Sequence, residues 1–409
     1  MTRKTAATVR PLGKGDLAAA EEMWARSYVV ESAAERRLMM RRTRLEQLRG
    51  VFVGDEMTAV GRVYPLTATI GGRFVGFGGV ASLATAPEAR RRGHVARLLQ
   101  AMLREMRGNG QVLSGLYPFD TAFYRRYGWA VADRTAQFGL PTGYLTTAAR
   151  PPGRVIATGE GDVKRLLELH DAWCSAHNLS LRRDRWWFAN RVLYRGDAKQ
   201  PPRYAYRYEA PSGATEGYVV LRFANEPDGA QLVRVRELAA TTPRARAALL
   251  KFVGDFDSQA TRVELLLPAD DPLPAGLERY DELKVHDLFA TAMIRVVDVK
   301  RLLDGVDLAG AAAGDDDSAE TVLEVDDPHA SWNRGRFRVA VGAGRSRATR
   351  SRKPADAELT IQVVTQLVTG YLKPAQALAA GLVAGPRPER IAVLARFAGD
   401  RTPFHNDYY

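Results

Sequence analysis

The 409-residue sequence contains a single cysteine, Cys174, and this scarcity limits the kinds of site that the chain can build. One cysteine cannot form an internal disulfide or a zinc site made of several thiolates. The six histidines do not supply the missing ligands, because only His170 and His177 fall on one helix face, and two turns separate them. We therefore expect no metal site and no redox chemistry, and we interpret Cys174 as a buried apolar residue, not a nucleophile.

Long apolar stretches are also missing. No run approaches the roughly 20 residues that span a bilayer, and the first residues carry charge without an apolar signal core. The sequence therefore predicts no membrane association and a cytoplasmic location. With 46% hydrophobic and 26% charged residues the composition is that of a globular protein, and its length predicts two or three domains.

Positive charge exceeds negative charge, with a formal net charge of +12, so an acidic partner is conceivable, either nucleic acid or a cofactor that carries phosphates. The best nucleic-acid candidate is a set of basic residues at strand spacing near the end of the chain. The alternative is a solvated strand face offset by Asp315–Asp317, and this is what we expect. The basic set consists of Arg336, Arg338, Arg345, Arg347 and Arg350.

Further patterns predict secondary structure and packing. The spacing of Leu38, Leu45 and Leu48 predicts a helix over residues 33–48, before a series of antiparallel strands. Trp186–Phe188 could form an aromatic platform for a ligand, but we expect core or interface packing at this cluster.

Residues 80–129 combine the most informative patterns of the sequence. An apolar strand ends before Pro87, which cannot donate to a strand ladder, and its last residues are Leu83, Ala84 and Thr85. An arginine-glycine turn follows, and apolar residues at helical spacing then run to Gly108. A second strand begins near residue 112 and leads into a segment rich in tyrosine.

The turn that opens the helix has the properties of a phosphate site. A helix start presents free backbone N–H groups and the positive end of the helix dipole, and Gly93 lets a phosphate approach the backbone closely. Arginines at the same turn add charge-assisted contacts. The predicted phosphate or pyrophosphate site consists of Arg90, Arg91, Arg92, Gly93, His94, Val95 and Ala96.

Two motifs in this stretch resemble the GNAT superfamily of N-acetyltransferases. Arg90, two residues, Gly93, one residue and Val95 resemble its acetyl-coenzyme A loop, in which the last position is usually Gly or Ala. The segment from Phe123 to Trp129, with Tyr124 and Tyr127, resembles the aromatic signature that follows the next strand. The resemblance implies acetyl-coenzyme A as cosubstrate, held also by Leu83, Ala84, Thr85, Phe119 and Asp120, with Tyr124 as general acid that protonates the coenzyme A thiolate.

The layout of the whole chain is similar to the enhanced-intracellular-survival (Eis) family of N-acetyltransferases. The implied fold is α+β, with two tandem GNAT-like folds and a C-terminal domain like sterol carrier protein. We place the domains at residues 1–150, 151–290 and 291–409. The second lacks an arginine-glycine turn after any strand, so we interpret it as a degenerate copy without cofactor. The family also forms hexamers.

The last residue, Tyr409, matches the family in position and type, because an aromatic residue ends those chains as well. Its α-carboxylate is then implied to be the general base for the acceptor amine. A carboxylate with a reference pKa of about 3.5 is poorly matched to an ammonium near ~10, so it must gain basicity by burial, act through water or orient a neutral amine.

These patterns predict an acetyl-coenzyme A dependent N-acetyltransferase that acts on a primary amine of an aminoglycoside, a polyamine or a lysine side chain. The alternative is a non-enzymatic protein that binds nucleic acid or lipid on inactive GNAT scaffolds. Binding of acetyl-coenzyme A separates the two.

Overall fold

A computed structural model describes residues 6–28, 32, 36–37, 40, 43–145, 151–193, 201–226, 229–289, 292–308, 319–342 and 344–409. Its strands are β1 (Ala7–Pro11), β2 (Leu48–Val53), β3 (Glu56–Ile70), β4 (Arg73–Thr85), β5 (Leu113–Leu116), β6 (Ala130–Val131), β7 (Thr135–Pro141), β8 (Arg154–Ala157), β9 (Tyr204–Glu209), β10 (Thr215–Asn225), β11 (Gln231–Ala240), β12 (Arg262–Pro268), β13 (Lys284–Phe289), β14 (Met293–Val296), β15 (Ala319–Asp326), β16 (Gly335–Gly342), β17 (Arg345–Arg350) and β18 (Ala357–Thr360).

The helices are α1 (Leu17–Tyr28), α2 (His94–Gly108), α3 (Thr121–Arg125), α4 (Val163–Cys174), α5 (Arg185–Trp187), α6 (Pro243–Gly254), α7 (Val299–Leu303), α8 (Ile361–Thr369), α9 (Pro374–Ala379) and α10 (Ala392–Ala398). A π-helical turn continues α5 over Phe188–Val192, and short 3-10 turns lie at Lys14–Asp16, Leu45–Gln47, Pro87–Ala89, Thr142–Leu145, Glu160–Asp162, Pro274–Gly276 and Pro388–Ile391. Within the described ranges, no helix is long and apolar enough to cross a bilayer.

Three sheets organise the chain. The first has the order β1-β2-β3-β4-β5-β14-β6, the second β13-β7-β12-β11-β10-β9-β8, and the third β17-β16-β15-β18. Strand β7, from the predicted first domain, therefore belongs to the second sheet, and β14, from the predicted third domain, lies between β5 and β6 of the first. The chain exchanges strands across both predicted boundaries, and the division at residues 150 and 290 remains a prediction.

Helix α2 covers the first sheet with the side chains that the periodicity selects. Leu98, Leu99, Met102, Leu103 and Met106 are all fully buried, in one core with strands β2 to β5. Because these positions recur every three or four residues, one helix face carries the whole apolar surface and the opposite face stays charged. This packing fixes the start of α2 beside the ends of the central strands.

The helix predicted over residues 33–48 is wrong at its C-terminal end. Leu45–Gln47 forms a 3-10 turn, and Leu48 begins β2, which pairs with both β1 and β3. Pairing on both edges satisfies the backbone of β2, so tertiary context outweighs the local helical spacing. Most of the remaining predicted helix lies outside the described residues.

Two of the five basic residues at strand spacing are matched by acidic neighbours. Arg336 donates to Glu324 at 2.8 Å and Arg338 to Glu320 at 2.6 Å, both across the β15–β16 ladder. The guanidinium of Arg350 donates to backbone carbonyls and lies 4.3 Å from the Phe337 ring centroid. These contacts favour a solvated strand face, with the offset supplied by strand glutamates. Asp315–Asp317, the predicted source of that offset, lie outside the described residues.

Candidate active site

The turn before α2 leaves its backbone donors open. Gly93 is the residue that precedes the helix, at φ +79°, and no side chain caps it. In the described part of the chain, the N–H groups of residues 93–96 have no acceptor. A Cβ added at Gly93 would meet nothing within 4 Å, and Arg90, Arg91 and Arg92 are exposed around it. The open donors, the helix dipole and the arginines together can hold a phosphate.

Strands β4 and β5 separate beside this turn. They share only three register pairs, which end at Gly79 opposite Gly115, although β4 continues to Thr85. Leu83, Ala84 and Thr85 therefore lie beyond the last pair with β5. Polar groups on the parted edge of a sheet are free to bind an extended ligand.

Helix α1 holds the outer part of β4 in a bulge. The bulge appears as a register shift against β3 and as a φ of +52° at Ser82. Trp24 Nε1 donates to the Ser82 carbonyl at 2.7 Å, and the Tyr28 hydroxyl donates to the Leu83 carbonyl at 3.1 Å. A bulge redirects the backbone locally, and bulges are frequent beside active sites.

Tyr124 lies in α3, after the end of β5. Its side chain is 4% exposed, and within the described residues its hydroxyl has no hydrogen-bond partner. Burial, with a smaller contribution from nearby Tyr28, raises the pKa of Tyr124 well above its ordinary value. The phenol therefore remains protonated at neutral pH and can donate a hydrogen bond to a ligand.

Two further predicted contacts lie next to Tyr124. The exposed ring of Phe119 is 5.4 Å from the Tyr124 ring, centroid to centroid. Asp120 Oδ1 accepts from the N–H groups of Ala122 at 2.8 Å and Phe123 at 3.2 Å, so this carboxylate caps α3 and positions Tyr124. Cofactor contact by Phe119 and Asp120 remains a prediction.

The ring of Tyr409 lies where β4 and β5 separate. A Cβ added at Gly79 would lie 2.8 Å from the Tyr409 ring, and one added at Gly115 would lie 2.8 Å from its hydroxyl oxygen. The rings of Tyr64 and Tyr117 pack around it, at centroid distances of 6.0 and 5.4 Å. The ring of the last residue thus lies against strands of the first sheet, and the role of its carboxylate remains a prediction.

Buried contacts secure the segment before Tyr409. Asp407 accepts from Arg183 Nε at 3.0 Å and from Trp187 Nε1 at 2.9 Å. The N–H of His405 donates to Asp133 at 2.9 Å. Burial raises the pKa of Asp133 to about 7, and the hydrogen bonds that it accepts only partly offset this rise. Asp133, in the connection between β6 and β7, and side chains in and just before α5 therefore hold the chain terminus.

Arg183 is the centre of an ionic network that sequence reasoning missed. Its guanidinium binds both oxygens of Glu237, at 2.7 and 2.6 Å, as well as Asp407. Burial alone would raise the pKa of Glu237, but the charge and hydrogen bonds of Arg183 outweigh it and lower this pKa. The partners lie 54 and 224 residues from Arg183, so no local pattern could reveal them. Gly79, in the interior of β4, is a local signal that could have indicated the close approach of Tyr409, because glycine within a strand often marks such a contact.

Cys174 has a partner that sequence reasoning did not anticipate. Its Sγ lies 3.2 Å from Nε2 of His170. Burial raises the pKa of the thiol and lowers that of His170 to about 4, so both groups stay neutral near pH 7. A protonated thiol is a weak nucleophile, and the interpretation of Cys174 as a buried structural residue agrees with this geometry.

Family comparisons match this arrangement. Residues 8–132 and 179–296 match two acetyltransferase (GNAT) domain families, and residues 299–406 match a sterol carrier protein domain family. The chain is 25% identical over 335 residues to N-acetyltransferase Eis of Mycobacterium tuberculosis, and this match covers 78% of each chain. The chain belongs to the Eis-type GNAT N-acetyltransferases. The predicted fold class and the enzyme class are thereby confirmed.

Other relatives extend the likeness to nearly the full chain. An uncharacterized N-acetyltransferase of Streptomyces avermitilis is 24% identical over 383 residues, or 88% of each chain. The crystal structure of a GCN5-related N-acetyltransferase from Kribbella flavida is 26% identical with a TM-score of 0.80, and the match covers 99% of each chain. All three domains of the Eis-type architecture are therefore present together.

Proposed function

We propose that this enzyme transfers the acetyl group of acetyl-coenzyme A to a primary amine of a small molecule or peptide by direct attack. The main support for the proposal is the position of the Tyr409 ring where β4 and β5 separate. The open helix start at Gly93 and the buried Tyr124 lie in the same domain. Within this scheme Tyr124 is the general acid and the α-carboxylate of Tyr409 is the general base.

Acetyl-coenzyme A supplies the activated acetyl thioester. The N–H groups of residues 93–96 and the arginines 90–92 would hold its pyrophosphate, because a helix start and guanidinium groups both favour phosphate. The parted edge of β4 at Leu83, Ala84 and Thr85 would bind its pantetheine arm. Phe119 and Asp120 complete the proposed contacts.

The acceptor amine attacks the thioester carbonyl, so a C–N bond forms as the C–S bond breaks. Tyr124 faces the departing sulfur in this scheme and donates its proton or a strong hydrogen bond to the thiolate. Because burial raises its pKa, Tyr124 is a weaker acid than a free phenol. Its contribution is then mainly to stabilise the developing negative charge, with proton transfer completed as the thiolate leaves.

The Tyr409 carboxylate takes the proton that the attacking amine loses. Its own phenol is unsuited to the task, since burial and the nearby carboxylates of Asp407 and Asp133 raise the pKa of the Tyr409 hydroxyl. The rings of Tyr64 and Tyr117 pack against the Tyr409 ring and so fix the position of the last residue. Desolvation of its carboxylate on substrate binding would increase the basicity of that group.

Calorimetry of the full chain with acetyl-coenzyme A tests the proposed activity, followed by release of free thiol across a panel of amines. We expect saturable binding and thiol release with at least one amine. Absence of both binding heat and thermal shift would eliminate the enzymatic mechanism. The nucleic-acid alternative has lost its main support, because Arg336 and Arg338 bind strand glutamates.

The proposed base predicts an unusual sensitivity at the chain terminus. One alanine added after Tyr409 moves the carboxylate by up to ~3.6 Å, and we expect turnover to fall about tenfold or more while acetyl-coenzyme A binding persists. One alanine added before Met1 is the matched control and should have no effect. Full turnover in the C-terminal variant would refute the role of the carboxylate.

We further propose a homo-oligomer, a hexamer by family resemblance. Trp186 is 43% exposed on α5, whereas its neighbours Trp187 and Phe188 are buried in the core. Core packing therefore accounts for two of the three aromatic residues and leaves Trp186 for an interface. Light scattering of the purified chain, with Trp186→Ser as comparison, measures the assembly.

A further inference from the structure

A pocket rich in arginine lies between the second sheet and the C-terminal segment. Its volume is about 110 Å³, and its charged lining comprises Arg183, Arg191, Arg203, Arg236, Glu237 and Asp407. A single water needs only about 10–15 Å³ by a comparable measure, so the pocket has room for a small polyatomic group. Four cationic side chains thus face two anionic ones.

Both acidic side chains are already engaged by one arginine. Arg183 binds the two oxygens of Glu237 through its terminal nitrogens and binds Asp407 through Nε. These three buried groups form a compact network with a formal net charge of −1, because one guanidinium faces two carboxylates. With the three other arginines of the lining, the pocket has a formal net charge of +2.

Arg236 is a cation of this pocket that forms no direct ion pair with a described residue. It is half-buried on β11, and among the described residues its guanidinium has neither a carboxylate nor a hydrogen-bond acceptor. Desolvation, followed by repulsion from Arg222, lowers the pKa of Arg236. A desolvated cation without a partner costs folding free energy, and an anion in the pocket would recover it.

The pocket also adjoins the proposed active site. Tyr408 contributes to its lining and stacks on Tyr117 of the first domain with centroids 3.9 Å apart. The next residue, Tyr409, carries the proposed catalytic carboxylate. Trp187 lies between the two regions, since it contacts Asp407 through Nε1 and the Tyr64 ring at 6.5 Å.

We propose that this pocket binds an oxyanion, the carboxylate or phosphate group of a small molecule, with Arg236 as its principal ligand. The group has two sources: the acceptor amine itself, in which case the inference rests on the proposed function, or a separate small anion. Arginine suits both, because its planar guanidinium can bind a carboxylate or phosphate through two parallel hydrogen bonds.

Inorganic phosphate is the probe for the site itself, titrated into the full chain while melting temperature and binding heat are measured. Coenzyme A is kept saturating so that phosphate does not report on the turn at Gly93. We expect Arg236→Gln to weaken phosphate binding at least tenfold, the loss of a charge-assisted contact. Arg262→Gln is the matched control, since Arg262 is also half-buried, unpaired among the described residues, and outside the pocket.

A second readout separates binding from structural support. Without phosphate, Arg236→Gln should melt at the same temperature as the unaltered chain or higher, because it removes an uncompensated cation. Equal phosphate binding in Arg236→Gln and Arg262→Gln would overturn the inference, as would no binding by the unaltered chain. These results are independent of any acetyltransferase activity.

Acceptor kinetics distinguish the two sources of the anion. Amines that carry a carboxylate are compared with their neutral amides, by kcat/KM from thiol release. A preference of about tenfold or more for the acid that disappears in Arg236→Gln assigns the group to the acceptor. Phosphate binding without such a preference supports a separate anion. Absence of turnover with every amine counts against the proposed function and leaves the phosphate result unaffected.

Discussion

The two GNAT domains contain the same strand-helix-strand unit but differ at the residue that precedes its helix. Helix α2 begins after Gly93, whose missing side chain leaves the first N–H groups open. Helix α6 begins after Thr242, whose side chain accepts from the N–H of Ala245 at 3.2 Å, and Pro243 at its first position has no N–H to offer. One residue at a helix start thus distinguishes an open start, the proposed anion site, from a capped one.

The two domains also differ at the point where their parallel central strands separate. In the first domain β4 and β5 separate after three pairs, and the Tyr409 ring lies at the point of separation. In the second domain β11 and β12 end their four pairs at Val235, and the following side chains include buried Glu237, held by Arg183. The second separation is thus stabilised by an internal ionic network, whereas the first is where we propose that the cofactor binds.

The largest expected effect comes from breaking the network of the second domain. Arg183→Met leaves Glu237 and Asp407 buried without their cation, and removal of one partner from a buried ion pair costs about 3–5 kcal/mol. Denaturant unfolding measures the loss. Arg154→Met, which removes an exposed pair with Glu209, is the control and should change the midpoint little. An unchanged midpoint for Arg183→Met would contradict the stabilising role.

Removing the proposed acid of the first domain should have the next largest effect. Tyr124→Phe is expected to lower turnover about 100-fold with little change in acetyl-coenzyme A affinity, because the hydroxyl acts on the departing thiolate. Steady-state thiol release and calorimetry measure the two quantities. Tyr127→Phe removes the same atom from the same segment and should leave turnover near its original value. Equal turnover in both variants would exclude Tyr124 as the acid.

The open helix start can be tested with two matched glycines. Gly93 and Gly110 lie at φ +79° and +76°, and an added Cβ at either meets nothing within 4 Å. Alanine at each position should therefore cost a similar ~1 kcal/mol of stability. Only Gly93→Ala should also weaken acetyl-coenzyme A binding, by about tenfold, because close approach of the pyrophosphate needs a bare backbone. Equal affinity in the two variants would remove the turn from the cofactor site.

The smallest expected effect concerns the closed helix of the second domain. Thr242→Ala removes the side-chain acceptor of the Ala245 N–H and should lower stability by about 1 kcal/mol. Acetyl-coenzyme A binding should not change, because this helix start is structural. Thr242→Ser keeps the acceptor and serves as the control. A change in cofactor stoichiometry in either variant would contradict the assignment of this domain as a degenerate copy.

The features that were predictable from sequence are those encoded locally. Helix α2 and the turn at Gly93 follow from residue spacing within about twenty positions, and both occur as predicted. The helix predicted over residues 33–48 is wrong at its C-terminal end because strand pairing on both edges of β2 is a long-range property. The Arg183 network and the exchange of β7 and β14 between sheets also depend on distant partners, which one sequence does not reveal.

The position of Tyr409 has a consequence for synthesis of the protein. Asn178 donates to carbonyls of Thr369, Ala398 and Arg401, so the chain end docks onto a middle domain that was made more than two hundred residues earlier. If the terminal carboxylate is the base, the ribosome must release the chain before any molecule can turn over. Chains that stop before Tyr409 or continue beyond it would then have reduced turnover.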